Sequence, residues 1–342
     1  MPSLLLEAPA TRPFARHLTR AGGVHIHWAE AGLGRATVML HGFCDSHRTW
    51  RKVMPALSRS RRLLLPDLPG HGLSDRPDAP YTVAWYAAII GAWVDAIGLR
   101  SFDLVGHSFG GGVAQMLLLT HGARIGRLGL VASGGLGREV SFGLRLWSMA
   151  EVADRFAQPL IAPSTRLALG ALLPGADPQD IDFLSWMNAM PGTARALSRT
   201  VREAIDWRGQ RMQLFDRLHE LPEALPIMEL FWGDQDHIVP FDHATEVLTR
   251  LEHVRLTRFK GSGHFPHQEQ PEAFVAALES FLGASNLEPA LLRGAMVRVP
   301  RPSHWRLWLR RVVAWLKRQL ARVKRHHELP SASNADSDVP RP

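Results

Sequence analysis

The chain has 342 residues, 46% hydrophobic and 21% charged, a globular composition long enough to bury a sizeable core in one large domain or a domain with an insertion. Its single cysteine, Cys44, excludes an internal disulfide framework. The net charge of +8 lies in residues 287–342, which hold 12 of the 40 Lys and Arg but 4 of the 32 acidic residues; the 286 residues before them are neutral, so nucleic acid is not an expected partner of the main domain.

Near the start, the apolar run Leu4–Leu6 is too short for a signal-peptide core, and no run approaches the roughly 18 residues of a membrane span. A cytoplasmic protein is expected. Val24 to Glu30 alternates and predicts a strand. Thr37 to Leu40 and Leu63 to Leu65 are short apolar runs, read as buried strands that end in glycine-containing loops. Val83 to Ile97 has helical spacing, stopped at Gly98. Phe102 to Val105 predicts a strand and Phe109 to Leu119 the helix after it; Leu128 to Ala132 is another strand. From 136 to 222 the strands cease and helical stretches rich in Trp and Met take over. The alternation resumes with Ile227–Trp232, Phe241–Leu251, Val254–Phe259 and Pro271–Leu282. Strands alternating with helices predict an α/β fold, a mostly parallel sheet with helices on both faces. The division expected is a core over 1–135 and 223–284, a helical cap over 136–222 inserted after strand six, a linker over 285–303 and a tail.

Within this frame, Gly106-His107-Ser108-Phe109-Gly110 fits a sharp strand-to-helix turn, with small residues two places before and after a serine left projecting at the sheet edge. The helix start supplies free backbone N–H groups suited to an anion. A serine hydroxyl needs a base to act as a nucleophile. In GDQDHIVP (233–240), Asp236 follows a predicted strand by three loop residues and can reach across, whereas Asp234 is read as shaping the turn. In GSGHFPHQEQP (261–271), His264 follows two glycines after the last strand; His267 is read as a surface loop residue. Ser108, Asp236 and His264 thus fall at the carboxyl ends of three strands, in the order expected of a hydrolase. Backbone N–H groups of Phe43 and Phe109 are the candidate oxyanion donors. His41 is read as holding its loop, and His25 and His27 as an ordinary exposed face rather than metal ligands.

LHGFCDS (40–46), DLPGHGLSDRP (67–77), GHSFGG (106–111), GDQDHIVP (233–240) and GSGHFPHQEQPEAF (261–274) together resemble the α/β-hydrolase superfamily over residues 16–284. The resemblance implies an eight-stranded sheet, a cap after strand six and a Ser-His-Asp triad on Ser108, His264 and Asp236. Serine at the elbow argues against dehalogenases and epoxide hydrolases, which use aspartate there. Meta-cleavage C–C hydrolases usually carry Trp soon after the catalytic His; Phe265, Pro266 and His267 stand there instead. Carboxylic-ester hydrolysis is the leading expectation. C–C hydrolysis, cofactor-free haloperoxidase or perhydrolase chemistry and acyl transfer are alternatives on the same triad, and a non-catalytic membrane-tethered accessory role is the contrasting class. No cofactor and no metal are expected. Trp147, Trp186 and Met187 in the cap are candidates for an apolar pocket suited to a small or lipid-like ester.

Residues 304–327, HWRLWLRRVVAWLKRQLARVKRHH, repeat apolar residues at spacings of three and four, contain no acidic residue and predict a basic amphipathic helix; 328–342 reads as disordered. Such a helix fits an anionic lipid surface, which would place the protein peripherally on the inner face of a membrane; docking on its own domain or on a partner protein is the alternative, and nucleic acid comes last. Deleting 287–342 is expected to abolish flotation with anionic liposomes; unchanged flotation would rule out this membrane role.

Overall fold

The structure is a computed structural model that describes residues 14–149, 158–172, 177–221, 225–284 and 291–292. The expected linker, apart from Leu291 and Leu292, the basic helix over 304–327 and the tail lie outside the described residues. No described helix is long and apolar enough to cross a membrane.

Eight strands form the main sheet: β1 (Ala15–Ala21), β2 (Val24–Ala31), β3 (Ala36–Leu40), β4 (Arg62–Pro66), β5 (Phe102–His107), β6 (Ile125–Val131), β7 (Ile227–Gly233) and β8 (Arg255–Phe259). Their order is β1-β2-β4-β3-β5-β6-β7-β8, antiparallel at β1/β2 and β2/β4 and parallel from there on. The main helices of the core are α1 (Val83–Ala96), α2 (Phe109–His121), α7 (Asp242–Arg250) and α8 (Pro271–Gly283). Alternation along each strand divides the core in two. Val38, Leu40, Leu64, Leu104, Leu230 and Trp232 share one cluster with α1, α2 and α7, while Met39, Leu63, Leu65, Val105 and Phe231 share the other with Trp50, Leu57 and with Phe274 and Phe281 of α8.

The one main-sheet strand absent from the sequence reading is β1. Its outward residues are Arg16, Leu18 and Arg20, and its inward ones include His17 and Thr19, so no apolar alternation marks it. It is held instead by His17 stacked on Trp28 with ring centroids 4.1 Å apart, and by the Trp28 indole N–H donating to Thr19 Oγ1 at 3.0 Å.

Between β6 and β7 lies the cap: α3 (Phe142–Ser148), α4 (Gln158–Leu172), α5 (Pro178–Asn188) and α6 (Thr193–Ala204). The expectation of no strand here is corrected by a two-residue antiparallel pairing, Ile205–Asp206 with Gly209–Gln210, too short to leave a periodic signal. Arg76, in the loop after β4, ties cap to core. Its guanidinium donates to Gly72 O, Ser74 O, Met187 O and Thr193 Oγ1. Arg76→Ala is expected to destabilise the protein by about 2 kcal/mol, since these acceptors lose a charged donor. It should also speed proteolysis within 178–204; denaturant unfolding and limited digestion measure the two effects.

Candidate active site

Ser108 stands between β5 and α2 with φ 51° and ψ −116°, a conformation that bulky neighbours would forbid. A Cβ on Gly106 would lie 2.6 Å from Gly110 O, and one on Gly110 would lie 2.3 Å from His41 O. The two glycines of the motif are therefore steric requirements. Hydrogen bonds then pin the turn: Ser108 N donates to Val131 O at 2.9 Å, and Ser108 O accepts from Gly111 and Gly134, each at 3.0 Å.

The fixed turn presents Ser108 Oγ to His264 Nε2 at 2.9 Å, and His264 Nδ1 meets Asp236 Oδ2 at 2.8 Å. Asp236 Oδ1 accepts from Ile238 N at 2.8 Å and Val239 N at 2.9 Å. With the carboxylate accepting, Nδ1 carries the imidazole proton, and Nε2 is left as the lone pair facing the serine hydroxyl. Asp234 does something else: its carboxylate accepts from Gly261 N and from Arg258, which shapes the turn and holds the group below the usual carboxylate range, Arg258 being the main cause. The structure thus brings Ser108, Asp236 and His264 together from three separate loops.

Other histidines support this arrangement without joining it. His41 Nδ1 donates to Gly42 O at 2.8 Å and its Nε2 accepts from Leu68 N at 2.9 Å, bonds that hold the loop after β3. His107 Nε2 donates to the carbonyl of His264 at 3.0 Å. The reading of His267 as a surface residue is corrected: it is fully buried, its ring 4.5 Å from that of Trp50 and its Nε2 2.9 Å from Thr49 Oγ1. The short helix Pro266–Glu269 turns it inward. The reading of His27 as part of an exposed face is likewise corrected. His27 is buried, and its Nδ1 lies 2.8 Å from Asp67 Oδ2, while exposed His25 faces Asp75. Among the described residues, His27, His47 and Asp67 form the one group whose spacing would suit a metal ion. Asp67 nevertheless takes N–H donors from the His47 and Leu73 backbones besides both imidazoles, so its oxygens are already engaged in fixing the 67–73 loop.

Phe43 and Phe109, the candidate oxyanion donors, both border a cavity that opens on Ser108. Gly42 brings the Phe43 loop close, since a Cβ there would lie 3.2 Å from Ser108 Cβ. Phe109 is the first residue of α2, so its N–H has no partner within the helix. The cavity has an empty volume of about 610 Å³, partly open to solvent, and its walls include Val83, Val140, Leu144, Val201, Ile205 and Met212. The three pocket candidates do not line it. Trp186 is 55% exposed, Met187 is buried inside the cap, and Trp147 stands one layer back with its ring edge-on to Phe43 at 5.4 Å. The helical register of α5 turns Trp186 outward, and the branched aliphatic residues at the end of α6 form the wall.

Burial, the leading cause in each case, pushes His41 down to about 4 and His71 and His267 down to about 3, and holds His107 well below the ordinary imidazole range. These rings are neutral in the folded protein, whereas in the unfolded chain they protonate near pH 6.5. Below that pH the unfolded state binds more protons, so folding stability falls as pH drops from about 6.5 toward 4. Asp45, pushed up to about 7 by burial, acts in the opposite sense and offsets about one of the four. The expected slope is about 1.4 kcal/mol per pH unit for each net proton. Urea unfolding at pH 7.5, 6 and 5 measures it; equal stabilities would contradict neutral buried imidazoles.

A family described as alpha/beta hydrolase fold matches residues 37–271. An uncharacterised protein of Mycobacterium bovis is 33% identical over 278 residues, spanning 78% of this chain and 80% of that one. The 2-hydroxy-6-oxo-2,4-heptadienoate hydrolase of Pseudomonas putida is 28% identical, spanning 78% and 95%. Among solved structures, a serine hydrolase involved in carbazole degradation superposes with a TM-score of 0.67 at 23% identity, over 79% of this chain and 99% of that one, a likeness of fold.

Proposed function

The chain belongs to the alpha/beta hydrolase fold family and is a hydrolase, and on that premise we propose that it cleaves carboxylic esters with an apolar acyl or alcohol group through an acyl-enzyme on Ser108. The observation that carries this reading is the bridge of His264 between Ser108 Oγ (2.9 Å) and Asp236 (2.8 Å) at the mouth of an apolar cavity. As Ser108 Oγ attacks the ester carbonyl, its proton passes to His264 Nε2, and Asp236 stabilises the imidazolium. The carbonyl oxygen gathers negative charge and is met by the Phe43 and Phe109 N–H groups. His264 returns the proton to the departing alcohol. Water then gives a proton to the same nitrogen and attacks the acyl carbon; the bond to Ser108 Oγ breaks, His264 returns the proton to that oxygen, and the acid leaves.

The cavity lining favours esters over the C–C hydrolase reading that the dienoate hydrolase relative supports. A dienoate carries a carboxylate, and a buried carboxylate needs a cation or free donors. No described residue lining the cavity is cationic, and its polar side chains other than Ser108 each hold hydrogen bonds within the protein, with one N–H of Gln210 Nε2 beyond those bonds. Thr200 Oγ1 donates to Ala196 O and accepts from the Tyr86 hydroxyl. Gln210 Oε1 accepts from Gly135 N, and its Nε2 donates to Glu139 O.

The test is a series of p-nitrophenyl esters from acetate to palmitate beside a 2-hydroxy-6-oxo-dienoate, with Ser108→Ala run in parallel. Ester turnover is expected to fall roughly 10⁴-fold or more in the variant, and the chain-length optimum reports the depth of the cavity. A dienoate cleaved with a higher kcat/KM than every ester would replace the ester reading with the C–C one.

A further inference from the structure

Cys44, next to the Phe43 oxyanion donor, has φ 59°, a left-handed backbone conformation that a non-glycine residue keeps only when its surroundings impose it. One such constraint comes from the cap. Asn188, the last residue of α5, is fully buried, and its Nδ2 donates to Cys44 O at 3.1 Å and to Thr165 Oγ1 at 3.2 Å. The orientation of the amide follows from its partners. A carbonyl can only accept, and Thr165 Oγ1 already gives its proton to Ile161 O at 2.8 Å, so both face the NH₂ end. Asn188 Oδ1 is left buried with no partner. A buried acceptor without a donor is unfavourable, and an apolar residue of the same size would avoid it. What the amide supplies in return is its donor end, aimed at the oxyanion loop. Phe43 and Cys44 also pack on the cap through Ile161, Ala194, Leu197 and Trp147, so the loop meets the cap along its side chains as well.

We propose that Asn188 is a positioning residue: by holding the Cys44 carbonyl it fixes the Phe43 peptide so that its N–H faces the oxyanion formed on Ser108. It touches no reacting atom, and it makes the oxyanion site complete only when the cap is seated. The proposal rests on the acyl-enzyme reading above.

Asn188→Leu in the full chain is the test, with Asn188→Ala beside it. On the best ester, kcat is expected to fall roughly 10- to 100-fold, less than the full loss of an oxyanion donor, because Phe43 remains in place. KM should stay within about threefold, and the melting temperature of the leucine variant within a few degrees, because the unpaired acceptor is removed with the amide. The second readout is the rate of covalent labelling of Ser108 by a fluorophosphonate, whose phosphoryl oxygen occupies the same oxyanion site; it should slow by the same factor as kcat. If the native protein labels readily but hydrolyses no ester, the ester reading fails while the labelling rates still decide the role of Asn188. Labelling within threefold of native in both folded variants would overturn the proposal. So would a rise in KM that accounts for the whole loss, or the failure of both variants to fold, which would make Asn188 a structural residue.

Discussion

The site depends first on a steric constraint at one residue. Ser108 turns the chain from β5 into α2 in the positive-φ region, and the turn closes only because nothing stands at the Cβ positions of Gly106 and Gly110. That close approach packs the elbow against the His41 carbonyl, while a hydrogen bond from Ser108 N to Val131 O docks it on β6. Three parallel strands, β3, β5 and β6, therefore end at one point. The parallel sheet makes this convergence general: carboxyl ends share an edge, so the loops after β7 and β8 deliver Asp236 and His264 to the same rim.

Around that point the buried titratable groups are told apart by their hydrogen-bond partners. His41, His71, His107 and His267 are buried and neutral, used as rigid hydrogen-bonding rings. His264 differs in having a carboxylate on one nitrogen and a hydroxyl on the other. Asp236 in turn differs from Asp234, which spends its oxygens on Arg258 and the Gly261 backbone. Identity of residue type does not confer the role; the partner on each atom does.

The cap adds walls that the sheet edge lacks. Its inner side is aliphatic, from Leu144, Val201 and Ile205, while Leu146, Leu167, Trp186 and Trp207 are exposed. The cap reaches the chemistry through backbone as well as bulk, since Arg76 binds the Met187 carbonyl and Asn188 binds that of Cys44. On the proposed reading, the core supplies the triad and the cap supplies most of the aliphatic wall that a substrate would meet.

By itself the sequence determined the α/β class, seven of the eight main strands, the place of the insertion and the candidate trio of Ser108, Asp236 and His264. These were legible because each depends on local physics: short apolar runs bounded by glycine-containing loops mark the buried strands, alternation marks β2, and glycines flanking a serine mark a turn that nothing larger could make. β1 was not legible because its inward face is polar and gains its hold from Trp28 on the next strand. The burial of His27 and His267, the displacement of Trp147, Trp186 and Met187 from the cavity wall, and the reach of Asn188 to Cys44 were decided only by tertiary structure. Each depends on which residue, distant in sequence, stands opposite; Asn188 and Cys44 are 144 positions apart, and no spacing along the chain encodes a contact of that range.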